Sequence, residues 1–200
     1  MLKKILVGSL MVFCFHFSHG QRFKAGLIGG LSTTQVAGDQ LSGFNKAGVI
    51  AGGFVSNPVS DKSSLQMEIL FIQKGSRKPV QPDKDNEYYV MRLAYFEVPV
   101  LFKYQVSSKI NVELGLSIGA LMFSEEEDQL GLQRHKPAFN KTDFSGIMGF
   151  TYPLSDHLFF NLRLSNSIIP IRDFASGYSF AFFNRGQYNT VVAFTLHYQF

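Results

Sequence analysis

Five charged residues have the type and spacing to do chemistry inside a folded sheet. They are Glu68, Glu97, Lys103, Glu113 and Arg163. The three carboxylates would form an acidic interior site if they met without the cations. Together with Lys103 and Arg163 they would instead form an ion-paired network that satisfies buried charge. We favour the network as the prediction.

A second acidic group is the continuous run at residues 125–128. Carboxylate oxygens are the ligands that hard divalent cations take, so a cation site is one interpretation. A solvated loop tip is the other, and we favour it because basic residues at 134–136 follow closely enough to pair with the acids. We therefore predict no metal site.

The residues that enzymes use are present but not assembled in a catalytic pattern. His135 falls in a predicted loop, His157 in a turn and His197 on a strand, and no Gly-x-Ser-x-Gly nucleophile elbow occurs. We expect a non-enzymatic protein without a cofactor. The alternatives are an outer-membrane lipid-modifying enzyme and a soluble ligand-binding barrel.

Composition and the first residues limit the class of protein. The 200 residues include 21 Phe and 8 Tyr and are 46% hydrophobic and 17% charged, which excludes both a disordered chain and a helical membrane bundle. The net charge of +4 is too small for a nucleic-acid partner. A basic start followed by an apolar stretch predicts a cleaved signal peptide over residues 1–20, with the mature domain at 21–200. The single cysteine, Cys14, lies in this leader.

Alternation of apolar and polar residues with period two predicts strands throughout the mature chain. Eight segments show it: residues 23–33, 47–57, 64–74, 96–104, 110–122, 144–154, 158–165 and 190–200. Their connections alternate between short and long, as in outer-membrane barrels with short periplasmic turns and long outer loops. We predict an all-β, eight-stranded antiparallel up-and-down transmembrane β-barrel in the bacterial outer membrane.

The faces of these strands indicate how the barrel meets its surroundings. One face of each strand is apolar and the other carries the charged residues, so we expect the apolar face to contact outer-membrane lipid and the charged face to line a polar lumen. Four tyrosines near strand ends, Tyr95, Tyr104, Tyr152 and Tyr198, are predicted to form aromatic girdles. Eight strands leave a lumen that side chains fill, so we expect no conducting pore.

Two groups of aromatic residues are candidate recognition elements. The last long loop combines aromatics with charges, which is typical of a partner-binding surface, although the same residues would also suit a hairpin packed on neighbouring loops. These residues are Phe174, Tyr178, Phe180, Phe182 and Phe183. The C-terminal strand ends with an aromatic residue, which predicts a signal that the barrel-assembly machinery recognises. The alternative is that Phe200 only packs on lipid. That signal comprises Phe194, Leu196, Tyr198 and Phe200.

The sequence resembles the PorT-like outer-membrane β-barrel family of Bacteroidota. Three segments of the mature chain carry the resemblance: the glycine-containing stretch at residues 24–30, the strand from Tyr95 to Tyr104 with Glu97 and Pro99, and the ending at residues 189–200. The resemblance implies a small outer-membrane barrel. Because the founding member of the family is linked to type IX protein secretion, it also implies an envelope protein as partner.

Overall fold

A computed structural model describes residues 23–39, 41, 43–78, 88–133, 138–173 and 186–200 of the chain. The predicted leader at residues 1–20 lies outside these ranges. Strands account for most of the described residues. They are β1 Lys24–Ala37, β2 Lys46–Pro58, β3 Ser63–Lys78, β4 Tyr89–Ser107, β5 Ile110–Asp128, β6 Gly131–Leu132, β7 Thr142–Pro153, β8 Leu158–Ser167 and β9 Tyr188–Gln199.

The eight long strands close into a single antiparallel barrel. Each pairs with its neighbours in the chain, β9 pairs with β1, and β6 is a two-residue strand that pairs only with the outer end of β5. The all-β, eight-stranded fold predicted from the alternation is therefore confirmed. Among the described residues no helix is both long enough and apolar enough to cross a membrane.

The two ends of the barrel differ as the loop lengths predict. One end carries the start of β1, the end of β9 and the short turns after β2, β4 and β7, and we call it the periplasmic rim by analogy with outer-membrane barrels. The other, the outer rim, carries the long connections. β7 begins opposite Ala120, so residues 121–128 of β5 continue beyond it on the outer side.

Side chains that point outward form a continuous apolar band. Leu31, Ile69 and Leu116 expose about three fifths of their surface although they lie in mid-strand. Such a surface would aggregate in water and suits the hydrocarbon of a bilayer. The band therefore argues against the soluble-barrel alternative.

The tyrosine girdle was predicted correctly for three of its four members. Tyr104, Tyr152 and Tyr198 point outward near the periplasmic rim, where the ring meets both lipid and water. Tyr95 was assigned wrongly, because it is fully buried in the lumen. It lies on the same face of β4 as Glu97, two residues away, and period two places the pair together.

Candidate functional site

A buried group of charged residues near the periplasmic rim, here called the lower charge cluster, contains four of the five charged residues that the sequence singled out. It comprises Glu68, Lys103, Glu113 and Arg163. The Arg163 guanidinium donates two hydrogen bonds to Glu68, at 2.8 and 3.0 Å, and its Nε donates one to Glu113 at 2.8 Å. These charge-assisted bonds cross the lumen from β8 to β3 and β5.

Lys103 completes the charge balance of the lower charge cluster. Its Nζ lies 3.4 Å from Glu113 Oε2 and donates to Gln66 Oε1 at 2.9 Å. Gln66 in turn donates to Glu68 at 2.6 Å. Two cations therefore face two carboxylates, and each carboxylate has more than one partner. This arrangement is an ion-paired network and not an acidic site, because every charge has an opposite neighbour.

Glu97 is not part of that network. It belongs to a second group nearer the outer rim, the upper charge cluster of Lys74, Glu97 and Asp143. Lys74 Nζ lies 2.5 Å from Glu97 Oε1 and 3.0 Å from Asp143 Oδ2, and its side chain is fully buried. The expectation that Glu97 joins Arg163 in one network is wrong, because Glu97 pairs with Lys74 whereas Arg163 pairs with Glu68 and Glu113.

Hydroxyl and amide groups complete the environment of Asp143. Ser167 donates to its Oδ1 at 2.7 Å, and Asn189 donates to its Oδ2 at 2.9 Å. The Lys74 amine also lies 5.2 Å from the centre of the Tyr95 ring, within the range of a cation–π contact. The upper charge cluster is thus fixed by β3, β4, β7, β8 and β9 together.

Glycine residues make room for the buried carboxylates. Gly149 is the cross-strand partner of Glu113, and Gly119 is the partner of Glu97. A Cβ on Gly149 would lie 3.0 Å from Glu113 Oε1, and one on Gly119 would lie 3.1 Å from Glu97 Cγ. Both contacts are tighter than ordinary packing, and at Gly149 the Leu162 carbonyl is closer still at 2.6 Å, so a side chain at either position would crowd the acid.

Between the two clusters the lumen is filled mainly by apolar side chains. Ile28, Ile50, Leu70 and Ile147 are buried there. The cavity that remains has a volume of about 20 Å³, and Glu97 and Arg163 from the two clusters also line it. This volume is roughly the space of one water molecule. Over the described residues the barrel therefore has two ion-paired layers with an apolar layer between them.

A third group, the rim cluster of Glu126, Arg172 and Gln187, lies at the outer rim. Arg172 makes two hydrogen bonds to Glu126, at 2.8 and 3.0 Å, and its Nε donates to Gln187 at 2.9 Å. The guanidinium also stacks on the Phe139 ring at 4.1 Å. Backbone hydrogen bonds join 171 to 187 and 187 to 172. The rim cluster thus ties together the two chain segments that flank residues 174–185.

The acidic run at residues 125–128 is the outer end of β5 and not a loop tip. Glu125 and Glu127 both accept from Arg92, at 2.7 and 3.0 Å, while Glu126 points into the rim cluster. The expected basic partners at 134–136 lie outside the described residues. In the part of the chain that the structure describes, no three His, Cys, Asp or Glu side chains are grouped to hold a metal ion.

A buried acid anchors the connection between β1 and β2. Asp39 accepts a hydrogen bond from the Ser76 hydroxyl on β3 and one from the Leu41 amide at 2.9 Å. Burial raises the pKa of Asp39 above its ordinary value, although both hydrogen bonds act in the opposite direction.

The structure describes the C-terminal aromatic residues but not the aromatic residues of the last long loop. Phe194, Leu196, Tyr198 and Phe200 all point outward and are about half exposed or more. The Phe200 amide donates to the Ala25 carbonyl at 3.0 Å, so the last residue still contacts β1. The loop aromatics Phe174, Tyr178, Phe180, Phe182 and Phe183 lie outside the described residues.

A closed barrel with an apolar exterior, a paired polar lumen and rims of unequal loop length defines a transmembrane β-barrel of the bacterial outer membrane. The sequence itself matches the family model of the outer membrane protein beta-barrel domain over residues 17–173. The chain belongs to that family. No curated protein sequence matches it significantly.

Solved structures with the same fold include two bacterial proteins. Ail, the attachment invasion locus protein of Yersinia pestis, was solved with the heparin analogue sucrose octasulfate. It is similar with a TM-score of 0.52 at 9% identity, over 89% of this chain and 99% of Ail. Neisserial surface protein A has a TM-score of 0.55 at 8% identity, over 89% and 97%. Because the sequence identities are below 10%, these similarities show a shared fold and nothing more.

Proposed function

We propose that the protein is a non-enzymatic outer-membrane barrel that presents its outer loops, and above all residues 174–185, as a binding surface for an envelope protein. The observation that carries this proposal is the rim cluster. Arg172 and Gln187 flank the aromatic segment on its two sides and are joined by backbone and side-chain hydrogen bonds. The two residues that flank the segment, Arg172 and Gln187, are therefore held close together on the barrel.

The filled lumen supports the same proposal. Two ion-paired layers and an apolar layer leave little space for a solute to pass, which favours a role at the rims over transport. The aromatic content of residues 174–185 suits a protein partner, because aromatic residues are enriched in the cores of protein interfaces.

The experiment compares two loop variants in native envelopes. In the first, the five loop aromatics are changed to Ser. In the matched control, residues 79–87 of another outer connection, which contain no aromatic residue, are changed to Gly and Ser. We expect a photo-crosslinker placed in residues 174–185 to capture a protein partner in the control variant and to lose it in the first. Equal capture by both would contradict the proposal.

The resemblance to PorT-like proteins extends this proposal to protein secretion, and the partner would then be a component of the secretion machinery. A strain without the protein should accumulate secretion substrates in the periplasm. The variant changed at residues 79–87 should restore export, whereas the variant with the five loop aromatics changed to Ser should not. Normal export in the deletion strain would reject the secretion role and leave the binding role open to the crosslinking test. Incubation with phospholipid vesicles should release no fatty acid, as expected for a non-enzymatic barrel.

A further inference from the structure

The periplasmic rim surrounds an open cavity that neither the fold nor the proposed loop surface explains. Its volume is about 300 Å³, and all eight long strands contribute side chains to it. Small-molecule sites begin at about this size. The lower charge cluster closes its inner end, because Lys103 and its partner Gln66 both line the cavity.

The charges that line this cavity are mainly positive. Lys24 and Lys62 lie at its entrance and Lys103 at its floor, whereas among the described residues Asp61 is the one acid that lines it. A concave surface with charges of one sign concentrates the field and raises the local concentration of ions of opposite sign. The lining therefore favours an anionic solute over a cationic one.

The floor of the cavity has a donor suited to an oxyanion. An ammonium group carries three N–H donors. Two of those on Lys103 face Gln66 Oε1 at 2.9 Å and Glu113 Oε2 at 3.4 Å. Within the described part of the chain the third donor has no partner beyond these two, and it can serve a ligand in the cavity. Gln66 and Glu113 hold the lysine in place from below, and they are themselves bonded to Glu68 and Arg163, so the donor is positioned before any ligand arrives.

The walls combine polar groups with two aromatic rings. Gln105, Asn111 and Thr151 bring amide and hydroxyl groups, and Phe54 and Phe159 bring rings. Phe54 is held by His197, with the ring centres 5.6 Å apart. We infer that the periplasmic cavity binds a small soluble molecule that carries a phosphate or carboxylate group. The barrel wall separates the cavity from lipid headgroups, so the ligand is expected to come from the periplasm.

The test uses the refolded full barrel in a zwitterionic detergent and follows its amide NMR signals. Glycerol 3-phosphate is the charged probe and glycerol its neutral counterpart. We expect saturable shifts in residues that line the cavity with the phosphate, none with glycerol, and weaker binding as salt rises. Replacing Lys103 with Met should weaken binding roughly tenfold or more. Lys109→Met is the matched control, because Lys109 lies in an exposed turn on the same rim and does not line the cavity.

Three results would overturn the inference. They are equal affinity in Lys103→Met and Lys109→Met, equal binding of glycerol, and shifts that never saturate and follow exposed lysines over the whole protein. If Lys103→Met does not refold, the double variant Lys24→Met/Lys62→Met tests the entrance instead, and unchanged affinity in it would reject the site. The cavity and the outer loops lie at opposite rims, so failure of one proposal leaves the other standing.

Discussion

Replacing Arg163 with Leu is the sharpest test of the lower charge cluster. The substitution removes three buried hydrogen bonds of 2.8 to 3.0 Å. Glu68 then keeps Gln66, and Glu113 keeps Lys103 at 3.4 Å, so two buried carboxylates share one cation. Removing one member of a buried ion pair typically costs about 3–5 kcal/mol of unfolding free energy, because the remaining charge stays desolvated.

Arg92 provides a matched control with the same substitution. It also contacts two carboxylates, Glu125 and Glu127, but its side chain is 39% exposed. Exposed pairs of this kind contribute about 0.2–1 kcal/mol. Urea unfolding in detergent, followed by far-ultraviolet circular dichroism and by heat-modifiable gel migration, should therefore show a much larger loss for Arg163→Leu than for Arg92→Leu.

A rescue experiment separates unpaired charge from lost packing. Adding Glu68→Gln to Arg163→Leu removes one of the two carboxylates, and we expect the double variant to recover part of the lost stability. If Arg163→Leu unfolds at the same urea concentration as Arg92→Leu, the lower charge cluster does not stabilise the barrel and the reasoning is wrong. Failure of the double variant to recover would instead attribute the loss to packing.

Three further outcomes follow from the structure. Planar-bilayer recordings should show no steady conductance, and a stable open channel would refute the filled lumen. Deleting Phe200 should leave the protein exported but unfolded or degraded in the periplasm, and normal levels in the outer membrane would reject the assembly signal. Asp39→Asn should raise the unfolding temperature at about pH 7 and should give no such gain at about pH 4. The raised pKa of Asp39 means that the folded protein favours the neutral acid. The stability that the neutral acid contributes is present at low pH and is lost as the pH rises, whereas the Asn side chain stays neutral at both pH values. An equal effect at both pH values would contradict this.

The fold could be predicted because alternation with period two is a local property. It locates each strand and assigns each side chain to a face, and all eight predicted segments overlap the long strands. The residues at which the strands end are harder to predict. β5 continues to Asp128 through an acidic run that looks like a loop, because above the bilayer a strand no longer needs apolar residues.

The site was only partly predictable because partners across the lumen depend on the stagger of the strands, which no local pattern records. Lys74 and Asp143 fall at the edges of the segments that alternate clearly, so the alternation pairs neither of them with Glu97. Arg172 lies in the connection between β8 and β9, where no alternation predicts a partner. The glycines opposite Glu97 and Glu113 are a usable signal, because they mark the positions where the lumen leaves space for an acid.

The unequal heights of β5 and β7 have a consequence for anything that approaches the cell surface. Residues 121–128 of β5 rise beyond the start of β7, and eight residues of strand span about 26 Å along the strand axis. The outer ends of β4 and β5 therefore form a ridge above the start of β7, and Arg172 packs against its inner side through Glu126. A large molecule that approaches from outside on this side of the barrel would contact the ridge before it reaches the level at which β7 begins. Rotation of the barrel about the membrane normal would then change which neighbouring molecules face the ridge.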